Sequence, residues 1–252
     1  MITFKAVKTA RKNSPFPLGE LIDELIGPQL RDGDVLVLSS KFIAISEGRI
    51  VSLDTVRPGE RALQLSREYD IPAELCELII QESDQILGGV KGFLLTLRWG
   101  LFTPNAGIDK SNIEHGRVVL YPADPLMSAL GIIEDVMSRR RVRIGVVVSD
   151  SRLMPTRIGT TGVALAAAGF QAIRDRRGNA DLFGNPLKVT QQALGDDLCS
   201  GAQLLMGEAD EATPIVVVSG LEPSLFGDYR YAMKDFSVPM DQDVYTQSLS
   251  RR

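Results

Sequence analysis

Histidine is almost absent from this sequence of 252 residues, in which His115 is the only one. One imidazole excludes a multi-histidine zinc site and a two-histidine iron site. A Ser-His-Asp triad would have to use His115, which lies next to Gly116 in a predicted turn, and we set that reading aside. Any bound metal must therefore be held by oxygen ligands, which indicates magnesium or manganese.

Cysteines and long apolar runs are scarce as well. The two cysteines, Cys76 and Cys199, lie in helical apolar patterns, so we expect buried free thiols in a reducing compartment. No uncharged apolar run approaches the roughly 18 residues needed to span a bilayer. The first 13 residues lack the apolar core of a signal peptide. We expect a soluble cytoplasmic protein that has no membrane partner.

The charge balance and the glycine pattern exclude further classes. A net charge of −4 gives no electrostatic reason to expect a nucleic-acid partner. Neither G-x-x-x-x-G-K-[ST] nor G-x-G-x-x-G occurs, so the two commonest phosphate-binding loops are absent. A composition of 44% hydrophobic and 24% charged residues is ordinary for a globular chain of one large domain or two lobes.

Hydrophobic periodicity predicts a mixed set of elements. The strands are predicted near 35–46, 92–102, 117–121, 142–150 and 213–220, and the helices near 18–26, 57–69, 72–87, 124–141, 161–170 and 187–207. Because these elements do not alternate regularly and no repeat is visible, we predict an α+β or irregular α/β fold with mixed sheets, not a Rossmann fold.

The segment "NAGIDKSN" (105–112) follows one of these strands and carries a lone carboxylate, Asp109. Asn, Gly, Asp and Ser build loops by bonding their own backbone, so turn chemistry alone explains the segment. A ligand role for Asp109 is the alternative, because functional residues concentrate on loops.

A second candidate is "VVVSDSRLMPTRIGTTG" (146–162), in which a buried strand ends on Asp150 and Ser151. A carboxylate and a hydroxyl in sequence suit a hard cation, and the arginines Arg152 and Arg157 can clamp phosphate or carboxylate groups. Capping of the next turn by Asp150 and Ser151 is the alternative.

Three weaker candidates lie elsewhere. Glu208, in "MGEADEATP", is either a metal ligand or a surface carboxylate on a loop. The run Ser39-Ser40-Lys41 offers two hydroxyls and an ammonium group to phosphate oxygens, less specifically than a phosphate loop does. The segment 175–184, "DRRGNADLFG", fits a surface turn.

Together these stretches resemble one family, the coenzyme F420-0:γ-glutamyl ligases. The resemblance runs from about residue 14 to 221 and is most specific at "NAGIDKSN"; it also includes "GDVLVLSSKFIAISEGRI", "LYPADP", "IGVVVSD", "DRRGNADLFG", "LKVT", "ALGDDLCSGAQLLMGEAD" and "PIVVVSGL". It implies a catalytic region of two lobes over 1–221, with a C-terminal tail at 222–252 of unknown role.

The resemblance also implies an activity. Such ligases use GTP and a divalent metal, Mg²⁺ or Mn²⁺, to join L-glutamate to coenzyme F420-0 through an acyl phosphate. They form homodimers, and their two-lobed fold is unlike that of ATP-grasp ligases.

By position in the family motifs, Asp109, Asp150, Ser151 and Glu208 correspond to metal ligands, and the first two are the candidate catalytic residues. The residues that correspond to nucleotide contacts, with Lys41 and Arg157 as candidate phosphate-binding cations, are Phe16, Pro17, Leu18, Gly19, Ser39, Ser40, Asn112, Met206, Gly207, Ala209, Asp210, Glu211, Ala212 and Thr213.

Departures from the family pattern leave the substrate open. A nucleotide-contacting lysine of the family is Ile45 here, although Lys41 lies on the same predicted face. The stretch D-T-x-G-R-P-W-R-x-G becomes "DSRLMPTRIG", in which Leu153, Met154 and Thr156 replace a glycine, an arginine and a tryptophan. A paralogue with another carboxylate acceptor or amino acid remains an alternative, as does a non-catalytic nucleotide- or deazaflavin-binding protein.

Overall fold

The computed structural model describes residues 1–249. Its α-helices are α1 (Leu18–Ile26), α2 (Ser40–Ser46), α3 (Glu60–Tyr69), α4 (Ala73–Glu82), α5 (Pro125–Arg140), α6 (Leu194–Met206) and α7 (Val244–Leu249). Its strands are β1 (Thr3–Val7), β2 (Val35–Ser39), β3 (Ile50–Ser52), β4 (Gln85–Val90), β5 (Phe93–Arg98), β6 (Leu101–Pro104), β7 (Arg117–Val119), β8 (Gly145–Leu153), β9 (Thr160–Phe170), β10 (Arg174–Asp175), β11 (Gln191–Gln192), β12 (Ile215–Ser219) and β13 (Phe226–Tyr231).

The chain divides into two compact units. The first comprises Met1–Arg49 and Tyr121–Ala232, and the second comprises Ile50–Leu120 together with the chain from Met233 onward. The main sheet of the first unit has the strand order β1-β12-β2-β8-β9-β13. Within it β2 and β8 are parallel and the other pairs are antiparallel. The prediction of a mixed α/β chain without regular βα alternation is confirmed.

The core of the first unit lies on the central strands of this sheet. Val35–Leu38 in β2 and Val146–Val148 in β8 are fully buried, as expected for strands that are apolar on both faces. Helices α5 and α6 both pack against β9. Helix α5 begins where Asp124 caps it, with one carboxylate oxygen accepting from the backbone N–H groups of Leu126 and Met127 at 3.0 Å.

The second unit has its own hydrophobic core, built around α3 and α4. Two small antiparallel sheets, β4-β5-β6 and β3-β7, complete it. One buried ion pair joins Arg98 to Glu82 at 2.7 Å. The core cluster consists of Ala62, Leu65, Ile71, Leu75, Cys76, Leu78, Ile79, Leu94, Ala106, Ile108, Val118 and Leu120.

The helix predicted at 161–170 is wrong, because these residues belong to the strand β9. The run of alanines favours a helix by intrinsic propensity, but tertiary context overrides such a weak preference. Strand β9 pairs with β8 on one side and β13 on the other, and Ala164–Ala168 are buried. Small side chains let α5 and α6 approach this strand closely.

Four other predicted elements need correction. The strand predicted at 35–46 ends at Ser39, and α2 follows it; the strand predicted at 92–102 is the hairpin of β5 and β6. Helix α6 begins at Leu194 rather than at 187, and the end of the helix predicted at 72–87 enters β4. Periodicity alone does not reveal the turns at which these elements begin and end.

Two further expectations concern cysteines and the tail. Cys76 and Cys199 are buried free thiols, as predicted.

The tail starts inside the first unit, where β13 pairs with β9, and continues with α7 in the second unit. Within residues 1–249, no helix has both the length and the apolar character needed to cross a membrane.

Candidate functional site

Asp150 lies in β8 and receives hydrogen bonds from two distant parts of the first unit. The Ser40 hydroxyl, at the start of α2, donates to Oδ1 at 3.3 Å. The Tyr121 hydroxyl donates to Oδ2 in a short hydrogen bond. The carboxylate is half-buried, and it is therefore held in a fixed orientation.

Tyr121 and Arg152 complete the surroundings of this carboxylate. Burial raises the pKa of Tyr121, and the negative charge of Asp150 raises it further, so this phenol stays protonated at neutral pH. Burial opposes the charge of Arg152, yet attraction to Tyr121 and Asp150 outweighs it and raises the pKa of Arg152. With Tyr121 neutral, we assign this attraction mainly to Asp150.

Ser151 has a different set of partners. Its hydroxyl donates to both carboxylate oxygens of Glu208, at 2.8 and 3.0 Å. The Thr160 hydroxyl and the Gln203 side-chain amide each donate to Oε1 of Glu208 at 2.7 Å. Two hydroxyls and an exposed carboxylate therefore form an oxygen-rich cluster, which we call the Glu208 cluster (Ser151, Thr160, Gln203 and Glu208).

Asp150 and Ser151 are neighbours in β8, but their side chains do not face a common ligand. The strand β8 continues to Leu153, so neighbouring side chains point to opposite faces of the sheet. The cross-strand register pairs Ser151 with Gly162 and Leu153 with Thr160, which places the two hydroxyls of the Glu208 cluster on one face.

The loop that carries Asp109 belongs to the second unit. The backbone of Asp109 pairs with Val119, and its carboxylate accepts a hydrogen bond from the Ser111 N–H at 2.6 Å. This is the turn chemistry expected from the sequence. Asn112 adopts a positive φ of 50° and is exposed.

The predicted nucleotide contacts in the first part of the chain lie at helix N-termini. Pro17 precedes α1, which begins at Leu18 and Gly19, and the Phe16 ring packs against Phe42 with a centroid distance of 4.9 Å. Ser39 ends β2 and Ser40 begins α2, so their position at a helix N-terminus suits an anion.

Lys41 and Ile45 both lie in α2. Residues four apart share one helix face, so the expectation that they point the same way survives the change from strand to helix. Ile45 is buried and Lys41 is half-buried. The ammonium group of Lys41 is therefore not in the buried position that the Ile45 side chain occupies.

The segment Met206–Thr213 forms the turn between α6 and β12. Glu211 accepts a hydrogen bond from the Ala209 N–H at 2.9 Å, and the Thr213 hydroxyl donates to the Met206 carbonyl at 3.1 Å. Gly207 and Ala212 have positive φ values of 71° and 55°. The loop is fixed by its own contacts, while Asp210 is exposed.

The loop between β8 and β9 is exposed. Its backbone turns where the Arg157 N–H donates to the Met154 carbonyl at 3.2 Å, and Thr156 has a φ of 61°. The Arg157 side chain is solvated, unlike that of Arg152. The three replaced residues of this loop, Leu153, Met154 and Thr156, thus lie on an accessible surface.

The chemistry of the donors decides whether a divalent cation fits. Within residues 1–249, no group of three or more His, Cys, Asp or Glu side chains could hold a metal ion. Mg²⁺ does not require such a cage, because it keeps several waters and binds through one or two carboxylates and substrate phosphates. The Glu208 cluster fits this requirement. Asp150 retains lone pairs, but the neighbouring charge of Arg152 weakens its attraction for a cation.

Tyr121, Thr160 and Gln203 were not singled out from the sequence. Tyr121 lies in "LYPADP", a stretch that matches the family without an assigned role. Thr160 and Gln203 reach Glu208 through the strand register and the α6 helix turn, respectively. Tyr121 and Gln203 carry one signal in the sequence, namely their place in stretches that match the family.

Comparison with known proteins agrees with the resemblance found in the sequence. The family model described as F420-0:γ-glutamyl ligase matches residues 16–220. A coenzyme F420:L-glutamate ligase of Methanopyrus kandleri is 39% identical over 209 residues, which is 82% of this chain and 82% of that protein. Proteins of the same name from Archaeoglobus fulgidus and Methanocaldococcus jannaschii are both 35% identical, covering 92% and 91% of this chain and 93% and 92% of their own.

Proposed function

The chain belongs to the F420-0:γ-glutamyl ligase family, and we propose that it joins L-glutamate to coenzyme F420-0 in a GTP-dependent reaction that forms an amide. It is an enzyme, an acid–amino-acid ligase. The observation that carries the proposal is the family match over residues 16–220, which includes the residues of the Glu208 cluster and Asp150.

The proposed reaction has two steps. A carboxylate oxygen of F420-0 attacks the γ-phosphorus of GTP, the bond to the β-phosphate oxygen breaks, and GDP leaves. The α-amine of L-glutamate then attacks the acyl carbon, releases phosphate and loses a proton to give the amide. Phosphoryl transfer requires positioning and charge neutralisation rather than a protein nucleophile.

The state of the nucleophilic side chains supports this scheme. Burial raises the pKa of both Cys76 and Cys199, so neither thiol ionises near neutral pH. Tyr121 also stays protonated. None of these three groups is therefore an activated nucleophile, and the scheme needs none.

Mg²⁺ or Mn²⁺ would supply charge neutralisation at the transferring phosphate. Glu208 and Ser151 are the residues whose chemistry fits a hydrated cation best. Asp150, on the other face of β8, is proposed as a ligand of a second cation. Asp109 of the second unit is proposed as a metal ligand on the strength of its motif.

The proposed nucleotide contacts fall into two groups. The N-terminus of α2, with Ser39, Ser40 and Lys41, offers N–H groups and hydroxyls to phosphate oxygens. The remaining candidates rest on the family motifs: Phe16, Pro17, Leu18, Gly19, Asn112, Arg157, Met206, Gly207, Ala209, Asp210, Glu211, Ala212 and Thr213.

The proposal extends to the two-lobed fold of the family and to a homodimer. Division of the chain into two units supports the first. Leu182 and Phe183 are adjacent and 100% and 92% exposed, and they support the second because contiguous exposed apolar side chains can mark an interaction surface.

A paralogue with another acceptor is the second candidate. Leu153 and Met154, which replace a glycine and an arginine of the family pattern, are 46% and 43% exposed and so are open to a substrate. A homologue acting on another carboxylate would keep the metal ligands and change this loop.

The test is an incubation of the purified protein with GTP, Mn²⁺, L-glutamate and F420-0. Mass spectrometry should detect F420-0 heavier by one glutamyl unit, and GDP should appear in equal amount. GDP release with a different acid acceptor only would favour the paralogue. Nucleotide binding without turnover on any acceptor would contradict the ligase and favour a binding protein.

A further inference from the structure

One edge of the Arg152 guanidinium group has no partner. The Nε and Nη2 atoms of this side chain are buried and make no hydrogen bond to any residue in 1–249. In a guanidinium group, these two nitrogens lie on the same edge, and their N–H bonds run parallel. The unpartnered donors are therefore adjacent and point in one direction.

Buried donors without partners are rare in folded proteins, because they lose their bonds to water and gain nothing in return. The cost is larger for two such donors on one charged group, because hydrogen bonds from a charged group are among the strongest in proteins. Flexible surface arginines, such as Arg157, face no comparable cost because water solvates them.

The nearby carboxylates do not satisfy this edge. Asp150 accepts hydrogen bonds from Ser40 and Tyr121 instead. Asp196, which also acts on the charge of Arg152, accepts from the Ala164 N–H at 2.8 Å. Both carboxylates thus stabilise the charged form of Arg152 without accepting hydrogen bonds from its Nε and Nη2 atoms.

We propose that the Nε–Nη2 edge of Arg152 binds one oxyanion of a substrate through two parallel hydrogen bonds. Two oxygens of a carboxylate or of a phosphate match this edge in spacing and charge. The inference rests on the proposed function, because it assigns Arg152 to a substrate of that same reaction. Arg152 is then a specificity-determining residue.

Binding must include a small movement of the side chain. Water does not reach Nε and Nη2 in the present conformation, whereas the side chain as a whole is partly exposed. A rotation of the long arginine side chain that brings this edge to solvent presents it to the ligand.

The oxyanion has two sources in the proposed reaction, and the experiment separates them. Binding of GTP with Mn²⁺, of L-glutamate and of F420-0 is measured one at a time by calorimetry. The variants are Arg152→Lys, which keeps the charge and loses the paired edge, and Arg152→Met, which loses both. Arg67→Met, at an exposed arginine of α3, is the matched control.

We expect both Arg152 variants to bind one of the three ligands about tenfold or more weakly, because a charge-assisted pair of hydrogen bonds is lost. Their affinities for the other ligands should stay within about threefold of the unaltered protein. Weaker binding of GTP identifies a phosphate of the nucleotide, weaker binding of L-glutamate identifies a carboxylate, and weaker binding of F420-0 identifies an acidic group of that substrate. The control should bind all three like the unaltered protein.

Two results would overturn the inference: wild-type affinity of Arg152→Lys for all three ligands, or an equal loss for all three together with a lower melting temperature. The second pattern would mean that Arg152 only supports the fold. Turnover with normal binding by the variants refutes this inference alone. Selective binding loss in a protein that makes no product refutes the proposed function alone, and a protein that binds none of the three refutes both.

Discussion

Ser151 and Glu208 are 57 residues apart in sequence, yet the Ser151 hydroxyl lies 2.8 and 3.0 Å from the two carboxylate oxygens of Glu208. The strand β8 supplies the hydroxyl, and the turn after α6 supplies the carboxylate. Two oxygen-bearing side chains from separate parts of the first unit are thereby held together, which suits the hydrated cation that we propose at this place.

Replacement of Glu208 by Gln tests this arrangement. The variant keeps the shape and loses one negative charge, so the Mn²⁺ concentration that gives half-maximal activity should rise by about tenfold or more. Calorimetric titration with Mn²⁺ measures the same effect without turnover. Glu134→Gln, at an exposed carboxylate of α5, is the matched control and should behave like the unaltered protein.

Asp109→Ala and Asp150→Ala should each lower turnover by roughly 100- to 1,000-fold, because a lost metal ligand removes several kcal/mol of transition-state stabilisation. Their stabilities should differ. Removal of Asp150 leaves the buried Tyr121 hydroxyl without this acceptor, at about 1–3 kcal/mol. Asp109 is on a loop, and its removal should cost less.

Urea denaturation and steady-state assays measure both effects. Asp150→Asn is the control for stability, since its amide oxygen can still accept from Tyr121. Near-normal turnover of both alanine variants would show that neither residue holds a catalytic metal.

The sequence predicts the candidate residues better than it predicts their partners. Motif positions identify Asp150, Ser151 and Glu208 as candidates, but adjacency in sequence does not reveal that the Asp150 and Ser151 side chains lie on different faces of the sheet. The strand continues past Asp150, so the two side chains diverge. The threonine that lies on the same face as Ser151 is determined by the register between β8 and β9. A run of small residues does not predict this register, because its side chains do not distinguish the two faces of the strand.

The misread strand β9 has a test of its own. A methyl group on Gly162 would lie 2.3 Å from the carbonyl oxygen of Cys199 in α6, so Gly162→Ala should destabilise the protein by about 1–3 kcal/mol. Gly131, in the interior of α5, has nothing within 4 Å of the same position. Gly131→Ala should therefore stabilise the protein by about 0.5–1 kcal/mol through helix propensity.

Urea denaturation of the two glycine variants measures both changes in the free energy of unfolding. Opposite signs are expected. If Gly162→Ala is as stable as the unaltered protein, β9 and α6 do not pack as closely as the structure places them.

The buried thiols predict a loss of stability at alkaline pH. Burial, and next the charge of Glu74, raises the pKa of Cys76 from 9.0 to about 11. Because the folded state favours the protonated thiol, this contribution to stability is complete below pH 9 and is lost as the pH rises towards 11. Cys199 follows the same direction, chiefly through burial.

Two measurements test this prediction. A thiol reagent at pH 8 should leave the native protein unlabelled and should label both cysteines in urea, since the thiolate is the reactive form. The urea midpoint should fall between pH 8 and pH 10.5, and it should fall less in Cys76→Ala, in which other titrating groups are unchanged. Equal falls in the two proteins would mean that Cys76 does not contribute to the pH dependence, and labelling of the native protein at pH 8 would mean that its thiols are not enclosed.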